Sequence, residues 1–404
     1  MPDAPGLFPI EPQPNAADEG PEARLFASVA VDRPMRCEYT YAVPDELADR
    51  VAPGVRVAVA FAGRRVVAVV VGIEDETDVP RARLKPVQAV LDPEPVVDAE
   101  LLELTRWMAT YYACSWGEAL AAVLPGALKR EGARRKVCVL SAAPEVGDAE
   151  LASLEERFPK QHRLLRTLIE IGGPIERRDL LSRLNFSDSP VKTLEKKGWI
   201  RRDYIDVAPD ELLAGDPDPN RKRPQELLAG QEAAVDVATA ALRAGTFEPI
   251  LLRGVTGSGK TEVYLRVIEE ALALGRGAIL LVPEIALTPQ TVGWFRSRFG
   301  DVAVLHSRMT DVQRLEMWMR VKRGEVRVVV GARSAIFAPV ADLGVIVVDE
   351  EHEPSFKQSN APRYHARDVA VVRARNAKAV CILGSATPSL ESWHNAQGGR
   401  YRLL

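Results

Sequence analysis

The sequence predicts an α/β protein in which a parallel sheet wrapped by helices is preceded by a small β-rich unit and by a winged helix. Three observations support this fold class. Valine-rich alternating segments come first, a run of amphipathic helices occupies the middle, and short apolar strands alternate with helical stretches in the last part of the chain. That alternation is the pattern of a parallel sheet covered by helices.

The β-rich unit is predicted to span residues 24–140, after a disordered tail at residues 1–23. The tail is rich in proline and acidic side chains and lacks apolar spacing. The strands that follow are punctuated by Pro53-Gly54 and Gly63, and from residue 97 the spacing becomes helical. The predicted strands run from Arg24 to Ala30, from Val55 to Phe61 and from Val66 to Ile73.

The winged helix is predicted over residues 155–206. Two amphipathic helices precede a third that opens at Ser189-Pro190, and a short alternating strand follows. Lys192 and Lys196 are four residues apart on the third helix, so they share one face, where a recognition helix would meet DNA phosphates. A solvated face that contacts protein, or nothing, is the alternative for these lysines.

The parallel sheet is predicted within residues 224–404, after an acidic, proline-bearing linker at 207–223. Its strands are short and rich in valine, isoleucine and leucine, as expected of strands buried on both faces. They are predicted at Ile250–Leu252, Ala278–Val282, Val302–Leu305, Val326–Val330, Leu343–Val348 and Val380–Leu383.

Composition excludes several classes of protein. Of the 404 residues, 47% are hydrophobic and 27% charged, which argues against wholesale disorder, and a net charge of −3 leaves any nucleic-acid surface to local patches. The four cysteines lie far apart without a Cys-x-x-Cys pair, which argues against a zinc cluster. No secretory signal and no run near the ~18 apolar residues of a membrane span is present. A cytoplasmic protein without a membrane partner is expected.

One segment has the composition of a phosphate-binding loop. Residues 254–261 (GVTGSGKT) fit G-x-x-x-x-G-K-[ST], between a predicted strand and a predicted helix. Glycines let backbone N–H groups point at phosphate oxygens, the lysine adds positive charge at the terminal phosphates, and the last hydroxyl can hold Mg²⁺. The predicted nucleotide-binding residues are Gly254, Thr256, Gly257, Ser258, Gly259, Lys260 and Thr261, with Lys260 also catalytic and Thr261 also a metal ligand.

Polar side chains follow two later strands. Asp349 and Glu350 come directly after a buried strand, where open α/β sheets bind ligands. Asp349 suits Mg²⁺ coordination, and Glu350 suits polarising the attacking water as a catalytic residue. His352, Ser385 and Thr387 are the predicted coupling residues. A hydrogen bond of His352 would link the nucleotide site to bound DNA, and the hydroxyls of Ser385 and Thr387 can switch hydrogen-bond partners between the phosphate site and the acids. For His352, a satisfied polar neighbour without such a role is the alternative.

The phosphate loop, the acids and the GSATP segment at 384–388 together indicate the first motor lobe of a superfamily 2 helicase, which is a RecA-like lobe. Within that superfamily, the chain resembles the primosomal replication-restart helicases over roughly residues 24–404, most sharply in the lobe. The segments that carry the resemblance are GVTGSGKTEVY at 254–264, LVPEIALTPQ at 281–290, LHS at 305–307, GARSAIFAP at 331–339, DEEH at 349–352, RYHARDVAV at 363–371 and GSATPSLES at 384–392.

The resemblance implies replication restart. It implies binding of stalled or repaired forks and of single-stranded DNA, 3′-to-5′ unwinding driven by ATP and Mg²⁺, and reloading of the replicative helicase with primosome proteins and single-strand-binding protein. Gln231 would read the adenine. A groove that follows a single strand needs hydroxyls, amides and cations, and a neighbouring loop would couple DNA to hydrolysis. The implied DNA contacts are Thr288, Gln290, Arg333, Ser334, Lys357, Arg363 and Tyr364.

Two departures from the family pattern bear on function. The family's 3′-end pocket has an acid between two aromatics, where this chain has Thr40 between Tyr39 and Tyr41, and Glu38 is the substitute at hand. Up to Leu404 the sequence does not contain the family's second motor lobe with its arginine finger, nor its cysteine-rich zinc insertion. No zinc is therefore expected here. ATP would lie on an open face, and we expect DNA binding with little turnover by this chain alone.

The leading interpretation is thus a replication-restart helicase represented by its N-terminal portion. The alternative is a non-catalytic scaffold for primosome assembly, which binds forks and keeps the phosphate loop for folding or regulation. A P-loop kinase or small-molecule ATPase would leave the winged helix and the GSATP segment unexplained.

Overall fold

A computed structural model describes residues 23–131, 136–144, 146–155, 157–206 and 226–404. The predicted tail, up to residue 22, and the predicted linker at 207–223 lie outside the described residues. The described residues form two compact units, one with residues 23–131, 226–308 and 317–404, the other with residues 136–206 and 309–316. Among the helices of these described ranges, none is both long and apolar enough to cross a membrane.

The first unit begins with a five-stranded antiparallel sheet. Its strands are β1 (Leu25–Val31), β2 (Tyr39–Val43), β3 (Arg56–Phe61), β4 (Arg64–Glu74) and β5 (Val87–Val90), in the spatial order β2-β1-β4-β3-β5. The inner face is made mainly of valine and alanine, which pack well on a pleated surface. Ala62 and Gly63 both have positive φ, as the tight turn between β3 and β4 requires.

Two helices, α1 (Ala99–Tyr111) and α2 (Trp116–Val123), follow this sheet. The Asp98 carboxylate accepts a hydrogen bond from the Leu101 N–H at 2.8 Å and caps α1. Ser115 and Glu118 form a reciprocal capping box on α2. A Cβ at Gly117 would collide with the carbonyl of Val31, so glycine lets α2 pack closely on the end of β1.

The second unit has the elements of a winged helix. They are β6 (Lys136–Ala142), α3 (Asp148–Glu155), α4 (Pro159–Ile171), β7 (Ile175–Glu176), α5 (Arg177–Leu184), α6 (Ser189–Lys196) and β8 (Ile200–Asp206). Strand β6 pairs antiparallel with both β7 and β8, in the order β7-β6-β8. The sequence places residues 136–140 in the β-rich unit instead. The sequence does not show this pairing, because the apolar spacing of a strand does not reveal which distant strand it pairs with.

The first unit also contains a seven-stranded parallel sheet, which confirms the predicted α/β class. The strands are β9 (Glu248–Arg253), β10 (Gly277–Leu281), β11 (Ala303–Leu305), β12 (Val328–Gly331), β13 (Leu343–Asp349), β14 (Val380–Ser385) and β15 (Arg402–Leu403), in the order β11-β12-β10-β13-β14-β9-β15. Helices α7 (Ala229–Ala244), α8 (Lys260–Ala273), α9 (Pro289–Phe299), α10 (Asp311–Lys322), α11 (Ala366–Asn376) and α12 (Leu390–Gln397) complete the fold. The short edge strand β15 was not predicted.

The strand order decides where the functional segments meet. Strand β14 lies between β13 and β9, with Asp349 opposite Gly384 and Ser385 opposite Arg253. The segments that leave the carboxyl ends of these three parallel strands therefore emerge at one edge of the sheet.

Candidate nucleotide and DNA site

The phosphate-loop residues form a tight turn into the N-terminus of α8. Gly257 and Gly259 have φ of 81° and 82°, a left-handed conformation that glycine adopts without strain. Gly259 is the residue before the helix, so the free N–H groups of the first turn of α8 face the loop. The Lys260 Nζ donates a hydrogen bond to the carbonyl oxygen of Gly254 at 2.8 Å. The Gly254 N–H donates in turn to the Ser385 carbonyl at 3.1 Å, which joins the loop to the GSATP segment.

Gln231 braces the same loop from α7. Its Nε2 donates to the Ser258 carbonyl at 2.8 Å, and its Oε1 accepts from the Leu228 N–H at 3.0 Å. A Cβ at Gly259 would collide with this amide, which is a second reason for glycine there. Gln231 thus has a structural role, and its implied contact with adenine stays a prediction.

The residues of the loop fit a triphosphate. The Ser258 Oγ is buried and lacks a hydrogen-bond partner among the described residues. Backbone N–H groups at a helix N-terminus and the Lys260 ammonium are donors for anionic oxygens. Thr256 is exposed at the rim, while Thr261 is half-buried. Together with Asp349, the Thr261 hydroxyl offers the oxygen ligands that Mg²⁺ prefers.

Asp349 is held in place by a tyrosine that the sequence analysis did not single out. The buried hydroxyl of Tyr264, on α8, donates to Asp349 Oδ1 at 3.0 Å. A Cβ at Gly384 would collide with the same hydroxyl, so glycine in the GSATP segment admits the contact. In the sequence, Tyr264 is distinguished only as the last residue of GVTGSGKTEVY, one of the segments that carry the resemblance. The phosphate-loop helix and Asp349, the predicted metal ligand, are therefore joined by one hydrogen bond.

Burial raises the pKa of Asp349 above the ordinary carboxyl range. The hydrogen bond from Tyr264 and the charge of Lys260 act in the opposite direction, and the neighbouring Glu350 adds to the increase.

The raised pKa of Asp349 predicts a stabilising effect of Asp349→Asn without Mg²⁺ and nucleotide. An acid with a raised folded-state pKa contributes stability below its unfolded pKa, near 3.9, and loses it as pH rises through the folded pKa. We therefore expect the variant to unfold at higher denaturant concentration than the wild type at pH 7, with the difference vanishing near pH 3. Equal or lower stability of the variant at pH 7 would contradict this assignment.

The predicted coupling residues are brought together through one hydroxyl. His352 Nδ1 lies 2.8 Å from Ser385 Oγ, which also accepts from the Thr387 N–H at 3.0 Å. His352 Nδ1 is 3.6 Å from Glu350 Oε2. Thr387 enters this network by its backbone N–H. His352 therefore lies between Glu350 and the GSATP segment, and its coupling role stays a prediction.

The third acid of the DEEH segment, Glu351, was not singled out from the sequence. It is completely buried, and its Oε1 accepts from the Ser389 N–H at 2.7 Å. Its Oε2 accepts from Ser389 Oγ at 3.0 Å, Ser392 Oγ at 2.9 Å and Arg367 Nη1 at 3.2 Å. Glu351 thereby ties the acid segment to the first turns of α11 and α12, a structural role distinct from that of the two preceding acids.

The implied DNA contacts are only partly available to a ligand. Tyr364 is 1% exposed and packs edge-on against Phe337, with ring centroids 5.0 Å apart. Its ring has no free face for a base, so Tyr364 does not offer the DNA contact that the resemblance implied. Arg333 Nη1 donates to the carbonyls of Ser355 and Lys357 at 3.1 and 2.8 Å, so this cation holds the loop.

Other implied contacts remain at the surface. Thr288 caps α9 by accepting from the Thr291 N–H at 3.2 Å. It is exposed, as are Gln290, Lys357 and Arg363, whereas Ser334 is half-buried. In the second unit, Lys192 and Lys196 are both exposed on α6. Their exposure is compatible with the predicted DNA contacts, which stay predictions.

The residues of the implied 3′-end pocket lie on β2. Tyr41 is buried, and its hydroxyl donates to the Ala60 carbonyl at 3.0 Å. Tyr39 lies on the same face, edge-on to Phe61 at 4.9 Å, while Thr40 points to the opposite face because strand residues alternate. Glu38 is exposed. Within the described ranges, no group of three or more His, Cys, Asp or Glu residues could hold a metal ion.

Comparisons with known proteins show which families and relatives the chain resembles. A family model described as 3′DNA-binding domain (3′BD) matches residues 28–125, and one described as DEAD/DEAH box helicase matches residues 229–396. The chain is 38% identical over 388 residues to replication restart protein PriA of Chlamydia pneumoniae, covering 94% of this chain and 51% of that protein. The corresponding protein of Bacillus subtilis is 36% identical, with 93% and 54% covered.

Replication restart protein PriA of Haemophilus influenzae is 37% identical, with 93% of this chain and 51% of that protein covered. Among solved structures, the Hef helicase domain of Pyrococcus furiosus aligns at 22% identity and a TM-score of 0.31, with 42% of this chain and 37% of that chain covered. The chain spans about half the length of the curated relatives it matches. The chain is thus similar to the PriA replication restart proteins over 93–94% of its length, and the two family models match its N-terminal and its C-terminal part.

Proposed function

We propose that this chain binds ATP with Mg²⁺ and branched or single-stranded DNA, as the portion of a replication restart helicase that joins the two ligands. The observation that carries the proposal is the 3.0 Å hydrogen bond between Tyr264 and Asp349, since it holds the phosphate-loop helix against the metal acid. The matched 3′ DNA-binding domain, in the same chain as this site, supports DNA as the second ligand.

In this proposal each residue of the site has its own role in binding or hydrolysing the nucleotide. Lys260 exchanges its bond with the Gly254 carbonyl for the terminal phosphates, and the N–H groups of the α8 N-terminus bind phosphate oxygens. Thr261 and Asp349 would hold Mg²⁺, which neutralises charge on the phosphates when bound. Glu350 accepts a proton from, or orients, the attacking water. His352 and Ser385 relay the position of Glu350 to the GSATP segment.

The direction of unwinding and the protein partners are proposed from the similarity to longer relatives. Proteins named replication restart protein PriA, about twice as long as this chain, match it over 93–94% of its length. On that basis we propose that the whole protein unwinds DNA in the 3′-to-5′ direction at stalled forks, and that primosome proteins and single-strand-binding protein are its partners.

A fork-binding measurement tests the proposal. We expect the chain to bind a forked duplex with a free 3′ end more tightly than a blunt duplex of the same length, as followed by fluorescence anisotropy. Affinity should fall as salt rises, because phosphate contacts release counterions. It should also change when Mg²⁺ and a non-hydrolysable ATP analogue are added, because coupled sites alter each other's affinity. Equal affinity for fork and blunt duplex, unaffected by the nucleotide, would contradict the proposal.

A further inference from the structure

An exposed aromatic cluster lies at the C-terminal end of α1, away from the residues described as nucleotide-binding. Trp107 and Tyr111 are stacked, with ring centroids 5.0 Å apart and planes at 20°. Tyr112 lies edge-on to both rings, at 5.9 and 4.9 Å. Tyr111 is 62% exposed, so one face of a rigid, stacked pair is open to a ligand.

This cluster contacts the loop that follows the DEEH segment. The His365 N–H donates to the Tyr112 hydroxyl at 3.2 Å, and Lys357 Nζ lies 5.5 Å from the centre of the Tyr112 ring. Lys357 and His365 pair with each other in an antiparallel bridge, which closes the base of the loop. The aromatic cluster therefore contacts the loop that connects the DEEH segment to α11.

The aromatic side chains within that loop are not available for stacking. Phe356 and Tyr364 are each 1% exposed. The exposed ring beside the loop is supplied by α1 instead. Two cations lie near the cluster: Lys357, whose Nζ is 5.5 Å from the centre of the Tyr112 ring, and Arg36, which donates to the carbonyl of Ala113 just beyond the cluster. A flat aromatic pair bordered by cations suits a base stacked on the ring with its phosphate on the cation.

We propose that Trp107 and Tyr111 form a stacking platform for a base of single-stranded nucleic acid, with Lys357 facing the adjacent phosphate. The inference rests on the proposed function, since it assumes that DNA reaches this unit. It assigns base stacking to helix α1 of the first unit, and not to the buried ring of Tyr364. The platform is also connected to the DEEH segment through the protein. The loop leads into α11, where Arg367 Nη1 donates a hydrogen bond to Oε2 of the buried Glu351 at 3.2 Å.

The test compares two labelled oligonucleotides of equal length and charge, one of deoxythymidine and one of abasic residues. The wild type should bind the thymidine oligonucleotide about 5- to 100-fold more tightly, because removing one stacked base has an effect of this size. Tyr111→Phe keeps the flat face and should keep the preference. Tyr111→Ala, and Tyr111→Leu, which retains apolar surface, should bring the affinity ratio close to one.

Each other outcome overturns the platform in a recognisable way. If the three variants keep the wild-type ratio, the platform is wrong while DNA binding, and the proposed function, stand. If the leucine variant behaves like the wild type and only alanine loses the preference, the surface is merely apolar. If Tyr111→Ala changes self-association in sedimentation but leaves the ratio intact, the face is a protein interface. If the wild type binds neither oligonucleotide, the proposed function itself fails.

Discussion

Replacing Glu351 by alanine is expected to lower the free energy of unfolding by about 3–5 kcal/mol, because it removes the completely buried carboxylate that pairs with Arg367 and leaves Asp368, whose side chain is 34% exposed, as the nearest carboxylate. The same change removes the acceptor for two hydroxyls and one backbone N–H. Chemical denaturation, read by tryptophan fluorescence, measures this loss.

Glu391 provides a matched control. Its carboxylate lies 3.8 Å from Nη1 of the same Arg367, but its side chain is 70% exposed. Exposed ion pairs contribute little, so Glu391→Ala should cost less than about 1 kcal/mol. Glu351→Gln, which keeps the shape and one acceptor oxygen, should fall between the two. Similar losses for Glu351→Ala and Glu391→Ala would show that Glu351 is not the buried link between the acid segment and helices α11 and α12.

The second large effect concerns nucleotide affinity. Lys260→Ala is expected to weaken Mg²⁺-ATP binding by about 10- to 100-fold, because hydrogen bonds to charged groups contribute about 1.5–3 kcal/mol each. Isothermal titration calorimetry measures the change. Lys196→Ala removes a lysine on α6 of the other unit and should leave nucleotide affinity unchanged. DNA affinity measured without nucleotide should be unchanged in Lys260→Ala, whereas Lys196→Ala lowers it if α6 contacts DNA phosphates.

The same substitution separates the helicase from the scaffold. If the whole protein acts as an ATP-driven helicase, Lys260→Ala should abolish restart of arrested replication. If it acts as a scaffold, restart should survive the loss of ATP binding. Unchanged Mg²⁺-ATP affinity in Lys260→Ala would contradict the assignment of the phosphate loop itself.

Local patterns allowed much of the fold and site to be predicted. The phosphate loop and the Asp349-Glu350 pair are short contiguous segments whose residue types are set by their chemistry, and the apolar strands of the parallel sheet are visible in the same way. Contacts between distant segments were not predictable. The bond between Tyr264 and Asp349 joins residues 85 positions apart, and β6 was misplaced because its partners are distant in sequence.

Burial was the other quantity that the sequence did not provide. Glu351 stands beside two acids with predicted chemical roles, and only its complete burial distinguishes it as a structural link. Tyr364 matched a segment of the family, but its ring is buried, whereas Tyr111 at the end of helix α1 is exposed. Apolar spacing alone does not tell which side of a helix or loop a neighbouring segment will cover.

The central claim is that the phosphate loop and the DEEH acids hold one magnesium–triphosphate together. Calorimetry on Thr261→Val, Asp349→Asn and the double variant tests it, with the gain in ATP affinity on adding Mg²⁺ as the readout. If both residues hold the same ion, each substitution removes most of that gain and the double variant loses no more, which is the non-additivity of coupled groups. Losses that simply add, or a gain that survives in either single variant, would contradict the claim.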